Sequence, residues 1–223
     1  MHAGAVEPRT SASDTIRLAA LPRIQTLTLS ATQRAFIFLI LALVMAGTRI
    51  NHFAAIPDAS WAVFFVAGFY LRGSWRWAFA LLIAIAVLVD LLVITGQGLN
   101  FWQHYCVSPA YWFLLAAYGA MWAGGAFLRK FHTGSAAQGL GLLAACLLVS
   151  ASVCFVISNG SFYWLSSQVA TRSFAGWVEN MGHWYFGYLR TSVMYVLLAT
   201  GLHLVVSQFL RTRSGAAQIS GRG

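Results

Sequence analysis

The segment WRWAFALLIAIAVLVDLLVIT, residues 75–95, decides the fold class of this chain. A helix of about 20 mainly apolar residues is long enough to cross the hydrocarbon core of a bilayer. In the second half of the segment, Asp90 is the one charged residue in an otherwise apolar run. The segment therefore predicts a membrane-spanning helix that carries a single acidic side chain near one end.

The rest of the chain has the composition of an integral membrane protein. Hydrophobic residues make up 59% of its 223 positions and charged residues 9%, whereas soluble domains carry about 25% charged residues. Five further segments are candidate spans: 34–50, 59–72, 108–128, 138–157 and 186–209. We predict an all-α membrane protein with six transmembrane helices. The span 59–72 is the shortest, and Asp58 is a residue type that favours a helix start there.

The distribution of basic residues predicts the orientation. With six spans, eleven Lys and Arg residues fall on the side of the two termini, and only Arg49, Arg172 and Arg190 fall on the other side. Cytoplasmic loops of membrane proteins carry an excess of Lys and Arg. Both termini are therefore predicted to be cytoplasmic.

The chain divides into three predicted regions. Residues 1–30 are expected to form a disordered cytoplasmic tail without a signal peptide, 31–210 the transmembrane domain, and 211–223 a basic cytoplasmic tail. The outer connections are predicted to be long, aromatic and polar, over 48–60, 95–109 and 158–188. Loops on a rigid scaffold often carry binding residues, so we expect a ligand site at this outer end.

Some function classes are excluded by pattern. The net charge of +9 is spread through apolar sequence rather than gathered in a nucleic-acid-binding motif. The phosphate-binding pattern GxxxxGK[ST] is absent from the sequence, so any ATP-driven step would need another subunit. We expect no nucleic-acid partner, and the bilayer itself is the first partner.

The segment HYCVSPAYW, residues 104–112, is the first candidate for chemistry. If Ser108 caps the fourth helix and Pro109 lies in its first turn, the helix dipole would lower the pKa of the nearby Cys106 thiol. Cys106 is the candidate nucleophile or metal ligand, although a lone cysteine in a membrane protein often only fills space. Cys146 and Cys154 lie inside the fifth span and are predicted to be core residues.

Other polar residues are expected near Cys106. A carboxylate in a membrane span is costly and should face the bundle or a wet cavity, so Asp90 is either a site residue or a buried partner for Arg49 or Arg190. Tyr111 follows Cys106 and could contact a ligand or serve as an interfacial tyrosine. Three histidines on the outer side could join Cys106 and Asp90 in a transition-metal site, or be isolated residues: His52, His104 and His183.

The first span also carries a close-packing pattern. Ala42 and Ala46 form a pair of small residues four positions apart, which permits close approach of another helix. This face could dock a second membrane subunit.

Two runs resemble a known family. TRINHFAAIPDASWAVFFVAGFYLR, residues 48–72, and CVSPAYWFLLAAYGAMW, residues 106–122, together with Asp90, resemble the BtuM family of bacterial cobalamin transporters, which are related to the S-components of energy-coupling-factor transporters. The resemblance extends over about 34–209. It implies an S-component-like bundle of six helices in the bacterial inner membrane.

The resemblance also implies a ligand and roles for individual residues. It implies cobalamin bound near the outer face, with Cys106 coordinating the cobalt and labilising a cyanide on the opposite face. By position it implies that Asp90, His52 and Tyr111 line the site, and that an energising module could dock on the first helix. Two alternatives stay open: an S-component for another vitamin, and a membrane thiol-redox enzyme that uses Cys106.

Overall fold

The structure is a computed structural model that describes residues 29–50, 56–132 and 136–220, and it contains helices and no strands over these ranges. The six α-helices are α1 Ala31–Ile50, α2 Ser60–Leu71, α3 Trp75–Gly96, α4 Leu114–Phe131, α5 Ala136–Leu165 and α6 Phe174–Ser220. Short 3-10 turns lie at Arg72–Ser74, Phe101–Gln103 and Pro109–Phe113. The predicted tail, residues 1–30, lies almost entirely outside the described residues.

Helix α1 begins at a reciprocal pair of hydrogen bonds. The backbone N–H of Gln33 donates to Ser30 Oγ at 3.2 Å, and the backbone N–H of Ser30 donates to Gln33 Oε1 at 2.9 Å. This capping box satisfies backbone donors that the first helical turn leaves without intrahelical partners.

Helix α2 lies at the centre of the bundle. Nine of its twelve residues are buried, and its sequence SWAVFFVAGFYL is largely apolar on every face, as in helices that lie in a protein core or a membrane. Phe64 of α2 stacks on Tyr118 of α4 with ring centroids 4.4 Å apart. Gly68 of α2 and Gly125 of α4 let the two backbones touch, since a Cβ on either would overlap a main-chain carbonyl of the other helix.

The chain reverses direction between α2 and α3. Asp58 and Ser60 at the start of α2, and Asp90 near the end of α3, all hydrogen-bond to Arg49 at the end of α1. The start of α2 and the end of α3 therefore lie at the same end of the bundle. The turn at Arg72–Ser74 lies at the opposite end.

Five helical runs in the described part of the chain are long and apolar enough to cross a bilayer: Ala31–Ile50, Ser60–Gly96, Pro109–Phe131, Ala137–Leu165 and Phe174–Phe209. Helix α2 has 12 residues, which makes it about 18 Å long, shorter than the roughly 30 Å hydrocarbon core. It is therefore long enough to cross a bilayer only as part of the run Ser60–Gly96, together with α3. The chain is a helical membrane protein of the multi-pass type.

The prediction that residues 158–188 form an outer loop is wrong for most of this segment. Helix α5 continues to Leu165 and α6 begins at Phe174, so only 166–173 connects them. The hydropathy of this region falls because Ser158, Asn159 and Asn180 face a cavity, not because the helices end.

The alanine pair of α1 packs inside the chain. Ala42 is 8% exposed and belongs to the hydrophobic core, and Ala46 is partly buried. The chain's own helices cover Ala42. Docking of an energising subunit on the first helix stays a prediction.

The connection from α3 to α4 starts at a helix cap. Gly98 has φ 75°, a conformation that favours glycine. Its N–H donates to the Thr95 carbonyl at 2.9 Å, and the Leu99 N–H donates to the Ile94 carbonyl at 3.2 Å. This pair of bonds is a Schellman motif. It ends α3 and directs residues 99–113 across the end of the bundle.

Candidate functional site

A cavity of about 510 Å³ opens at the end of the bundle where α1 ends and α2 begins. Its walls come from the end of α3, the connection to α4, and the facing parts of α5 and α6. Aromatic side chains line it, as do amide side chains: Trp61, Phe162, Trp184 and Tyr188, and Gln97, Asn159 and Asn180. Its volume is in the range of small-molecule sites, about 300–1,000 Å³.

The floor of the cavity is built on Arg49. This arginine is 8% exposed, and its guanidinium donates to Asp90 through Nε at 2.6 Å and Nη2 at 2.7 Å. Its Nη1 donates to Asp58 Oδ2 at 2.9 Å, Ser60 Oγ at 3.0 Å and Tyr118 Oη at 3.1 Å. One guanidinium thus ties α1, α2, α3 and α4 together, which a planar group with five donors can do and a lysine cannot.

Asp58 is held at the start of α2. Its Oδ1 accepts from the backbone N–H of Ser60 at 2.9 Å and from the Ser60 hydroxyl at 2.6 Å. The predicted helix start near Asp58 is confirmed to within two residues. Neither Asp58 nor Arg49 is predicted as a site residue from the sequence, although an arginine at the end of an apolar span is itself a signal of an intramembrane ion pair.

Asp90 joins the floor to the segment that carries the cysteine. Its Oδ2 accepts from the Tyr111 hydroxyl at 2.7 Å as well as from Arg49. The sequence leaves open whether Asp90 pairs with Arg49 or with Arg190. The geometry shows that its partner is Arg49. Both Asp90 and Tyr111 also line the cavity. Each of them therefore belongs to the hydrogen-bond network and also faces the space that a ligand would occupy.

Cys106 lies at the rim of the cavity. The residue is partly buried, and its backbone N–H donates to His104 Nδ1 at 3.3 Å. In a neutral imidazole this bond places the ring proton on Nε2. The segment thus folds on itself so that Cys106 and His104 both face the cavity.

The thiol is less acidic than the sequence suggests. Burial raises the pKa of Cys106 above its usual value, and a hydrogen bond from Tyr105 only partly opposes this. The same hydrogen bond raises the pKa of the Tyr105 hydroxyl. Ser108 makes no side-chain cap bond, and its buried Oγ has no partner among the described residues. Ser108 and Pro109 lie at the start of the turn Pro109–Phe113, as predicted, but the pKa of Cys106 is shifted in the direction opposite to the expected one.

The predicted metal cluster does not assemble in the described chain. No group of three or more His, Cys, Asp or Glu residues there is placed to hold a metal ion. His104 lines the cavity, while His183 packs its ring edge-on against Trp184. His52 lies outside the described residues.

The other two cysteines are core residues, as predicted. Cys154 is 0% exposed and Cys146 9%, and neither lines the cavity, so Cys106 is the one thiol of the three that a ligand in the cavity can reach.

Two asparagines form a clasp between α5 and α6. Asn180 Nδ2 donates to Asn159 Oδ1 at 2.8 Å, and both side chains line the cavity. Both asparagines fall in the predicted loop 158–188 and are not predicted as site residues. A helix with polar residues on one face has the same low local hydropathy as a loop.

No protein-family model matches the chain, and no curated protein matches it.

Proposed function

We propose that this protein takes up cobalamin or a related corrinoid across the bacterial inner membrane, and that Cys106 is the sulfur ligand to the cobalt. The observation that carries the proposal is an accessible thiol at the rim of an open cavity in a multi-pass helical bundle. Soft thiolate ligands suit transition metals. The resemblance of residues 48–72 and 106–122 to the BtuM family supports the same ligand.

The lining of the cavity suits a corrinoid. A corrin ring has broad apolar faces and carries primary amides at its edge. The aromatic side chains Trp61, Trp184 and Tyr188 offer apolar surfaces to the faces, and Gln97, Asn159 and Asn180 offer amide donors and acceptors to the edge. The cavity holds only part of so large a molecule, and the remainder would extend through the open mouth.

The proposed topology is a bundle of six crossings with both termini in the cytoplasm. The reversal at Arg72–Ser74 supports counting α2 and α3 as two crossings, with α2 as a short one. This topology places the cavity and Cys106 on the outer side. Helix α1 remains the proposed contact for an energising module.

The proposed chemistry at cobalt is a ligand substitution. The Cys106 thiol loses its proton, and the sulfur donates an electron pair to the empty axial position of a base-off corrinoid. Cyanide on the opposite face leaves with the electron pair of its bond to cobalt and takes up a proton as hydrogen cyanide, and water replaces it. The oxidation state of cobalt does not change.

The visible spectrum of the purified protein with cyanocobalamin tests the proposal. We expect the bound ligand to differ in spectrum from free cyanocobalamin, and Cys106→Ala to lose this difference. Cys146→Ala, which removes a core thiol, is the matched control and should keep it. Protein that remains colourless after exposure to ligand would contradict corrinoid binding. If Cys106→Ser binds another vitamin as well as the wild type does, the alternative S-component function is correct instead.

A thiol-redox enzyme is less well supported. A redox cysteine usually has a low pKa and a second cysteine close by. Burial raises the pKa of Cys106, and Cys146 and Cys154 are buried away from the cavity.

A further inference from the structure

The charged groups of the cavity do not balance. Among the described residues, three formally charged side chains line it: Arg49, Asp58 and Asp90. One guanidinium against two carboxylates leaves one net negative charge, with the thiol of Cys106 and the imidazole of His104 counted as neutral. The chain as a whole carries +9, so the cavity has the opposite sign from the molecule.

The carboxylates face the cavity more than the arginine does. The side chain of Arg49 is 9% exposed, whereas those of Asp58 and Asp90 are 20% and 17% exposed. A ligand in the cavity therefore approaches the carboxylate side of the network. Like charges brought together in a partly desolvated site repel each other more strongly than in water.

The asparagine clasp on the opposite wall provides a neutral hydrogen-bonding edge. The bond from Asn180 Nδ2 to Asn159 Oδ1 uses one donor and one acceptor. It leaves the Nδ2 group of Asn159 and the second N–H of Asn180 as donors, and Oδ1 of Asn180 and the second lone pair of Asn159 Oδ1 as acceptors. A primary amide, which has both a donor and an acceptor, can satisfy both kinds of group. A carboxylate has only acceptors and would leave Asn180 Oδ1 without a donor.

We propose that the cavity selects corrinoids whose edge groups are amides and rejects those in which the same groups are carboxylic acids, through the excess carboxylate of the Arg49 network and the Asn159–Asn180 clasp. The proposal rests on corrinoid binding as proposed above, and it adds which corrinoids are taken. A charge at the edge of the ring, rather than at cobalt, decides acceptance. Precursors that still carry free acids are excluded.

Paired ligands that differ in one group test this selectivity. Cyanocobalamin and its derivatives with a single amide hydrolysed to an acid have the same ring and cobalt ligands. We expect the purified protein to bind at least one of the acids about tenfold more weakly than the amide at low salt. The acid-to-amide ratio of dissociation constants should fall towards one as the salt concentration rises, because added ions screen the repulsion between charges that water reaches.

Two variants separate the contributions. Asp58→Asn makes the network neutral while leaving Asp90 to pair with Arg49, so we expect the ratio at low salt to fall several-fold. Asn180→Ala removes the clasp and should reduce the ratio for the acid whose edge position faces it. Gln168→Ala, which removes an exposed amide that does not line the cavity, should leave the ratio unchanged.

The outcomes distinguish this proposal from the one on which it rests. If cyanocobalamin binds and every acid binds equally well, the selectivity is overturned while corrinoid binding stands. A ratio that neither salt nor Asp58→Asn nor Asn180→Ala changes also overturns it, because the ratio measures discrimination and a merely destabilised protein would lose affinity for both ligands alike. If no corrinoid binds, both proposals fail.

Discussion

At the scale of single residues, Arg49 is the side chain on which the site depends. It meets two carboxylates, a serine and a tyrosine at hydrogen-bonding distance while almost fully buried. Removing one partner of a buried ion pair is strongly destabilising because the other is left as an uncompensated charge. The geometry of the cavity floor and the stability of the bundle therefore both depend on Arg49.

Arg49→Met is expected to destabilise the protein by about 3–5 kcal/mol, since it leaves Asp58 and Asp90 without their cation. For a chain of this size the melting temperature in detergent should fall on the order of 10 °C. Arg190→Met, at an exposed position, is the control and should change it little. Equal melting temperatures for the two variants would show that the Arg49 network does not stabilise the bundle.

The raised pKa of Cys106 predicts a pH dependence of corrinoid binding. Below this pKa the free thiol is protonated, and with a corrinoid that loses no cyanide, coordination to cobalt releases that proton to the solvent. The dissociation constant should therefore fall as pH rises, by up to about tenfold per pH unit below the pKa. Titrations of wild type and Cys106→Ala between pH 6 and 8 measure this. If the variant shows the same slope, the thiol is not the titrating ligand.

At the scale of elements, the contact between α2 and α4 fixes the bundle. Hydropathy could predict α2 as an apolar segment, and its all-round apolar sequence indicates burial. It could not predict that α2 packs backbone to backbone against α4 at Gly68 and Gly125. Glycines also occur in exposed parts of membrane helices, so a glycine in the sequence does not by itself mark a helix contact.

Gly125→Ala should destabilise the bundle by about 1–3 kcal/mol or prevent folding, since the added methyl group overlaps the Phe65 carbonyl oxygen. Gly119→Ala places the same methyl group on the same helix in open space, and it should be neutral or slightly stabilising. The melting temperatures of the two variants in detergent are the measurement. If both variants melt like the wild type, the close approach of α2 and α4 is incorrect.

The same scale shows where sequence reasoning fails. Boundaries of α1, α2 and α3 lie within three residues of the predicted spans because apolar sequence follows these helices, whereas α4 begins six residues later than predicted, after the 3-10 turn Pro109–Phe113. Helices α5 and α6 extend into the predicted loop. The loop prediction is wrong there because polar residues on their cavity faces lower the local hydropathy. Asp90 and Tyr111 could be named from sequence, since an acid in a span needs partners. The pairing of Asp90 with Arg49 could not be chosen over a pairing with Arg190, because it depends on how α1 crosses α3.

At the scale of the whole molecule, the charge distribution and the cavity together predict an orientation. Eleven of fourteen basic residues lie on the side of the termini when six crossings are counted, and the cavity lies at the other end. The helical and multi-pass character of the chain could be predicted from composition alone. The cavity could not, because it lies where α2 begins and where α5 and α6 extend into the predicted loop.

Labelling of Cys106 tests this orientation. A membrane-impermeant thiol reagent applied at pH 8 to cells without an outer membrane should label the wild type. Cys106→Ala should not be labelled, because Cys146 and Cys154 are buried. Labelling that appears only after the inner membrane is permeabilised would place the cavity on the cytoplasmic side.

X-ray absorption at the cobalt edge, recorded on the purified protein loaded with cyanocobalamin, tests the central claim most directly. The account predicts one sulfur neighbour of cobalt in the wild type and in Cys146→Ala, and none in Cys106→Ala. A wild-type spectrum in which every neighbour of cobalt is carbon, nitrogen or oxygen would contradict it.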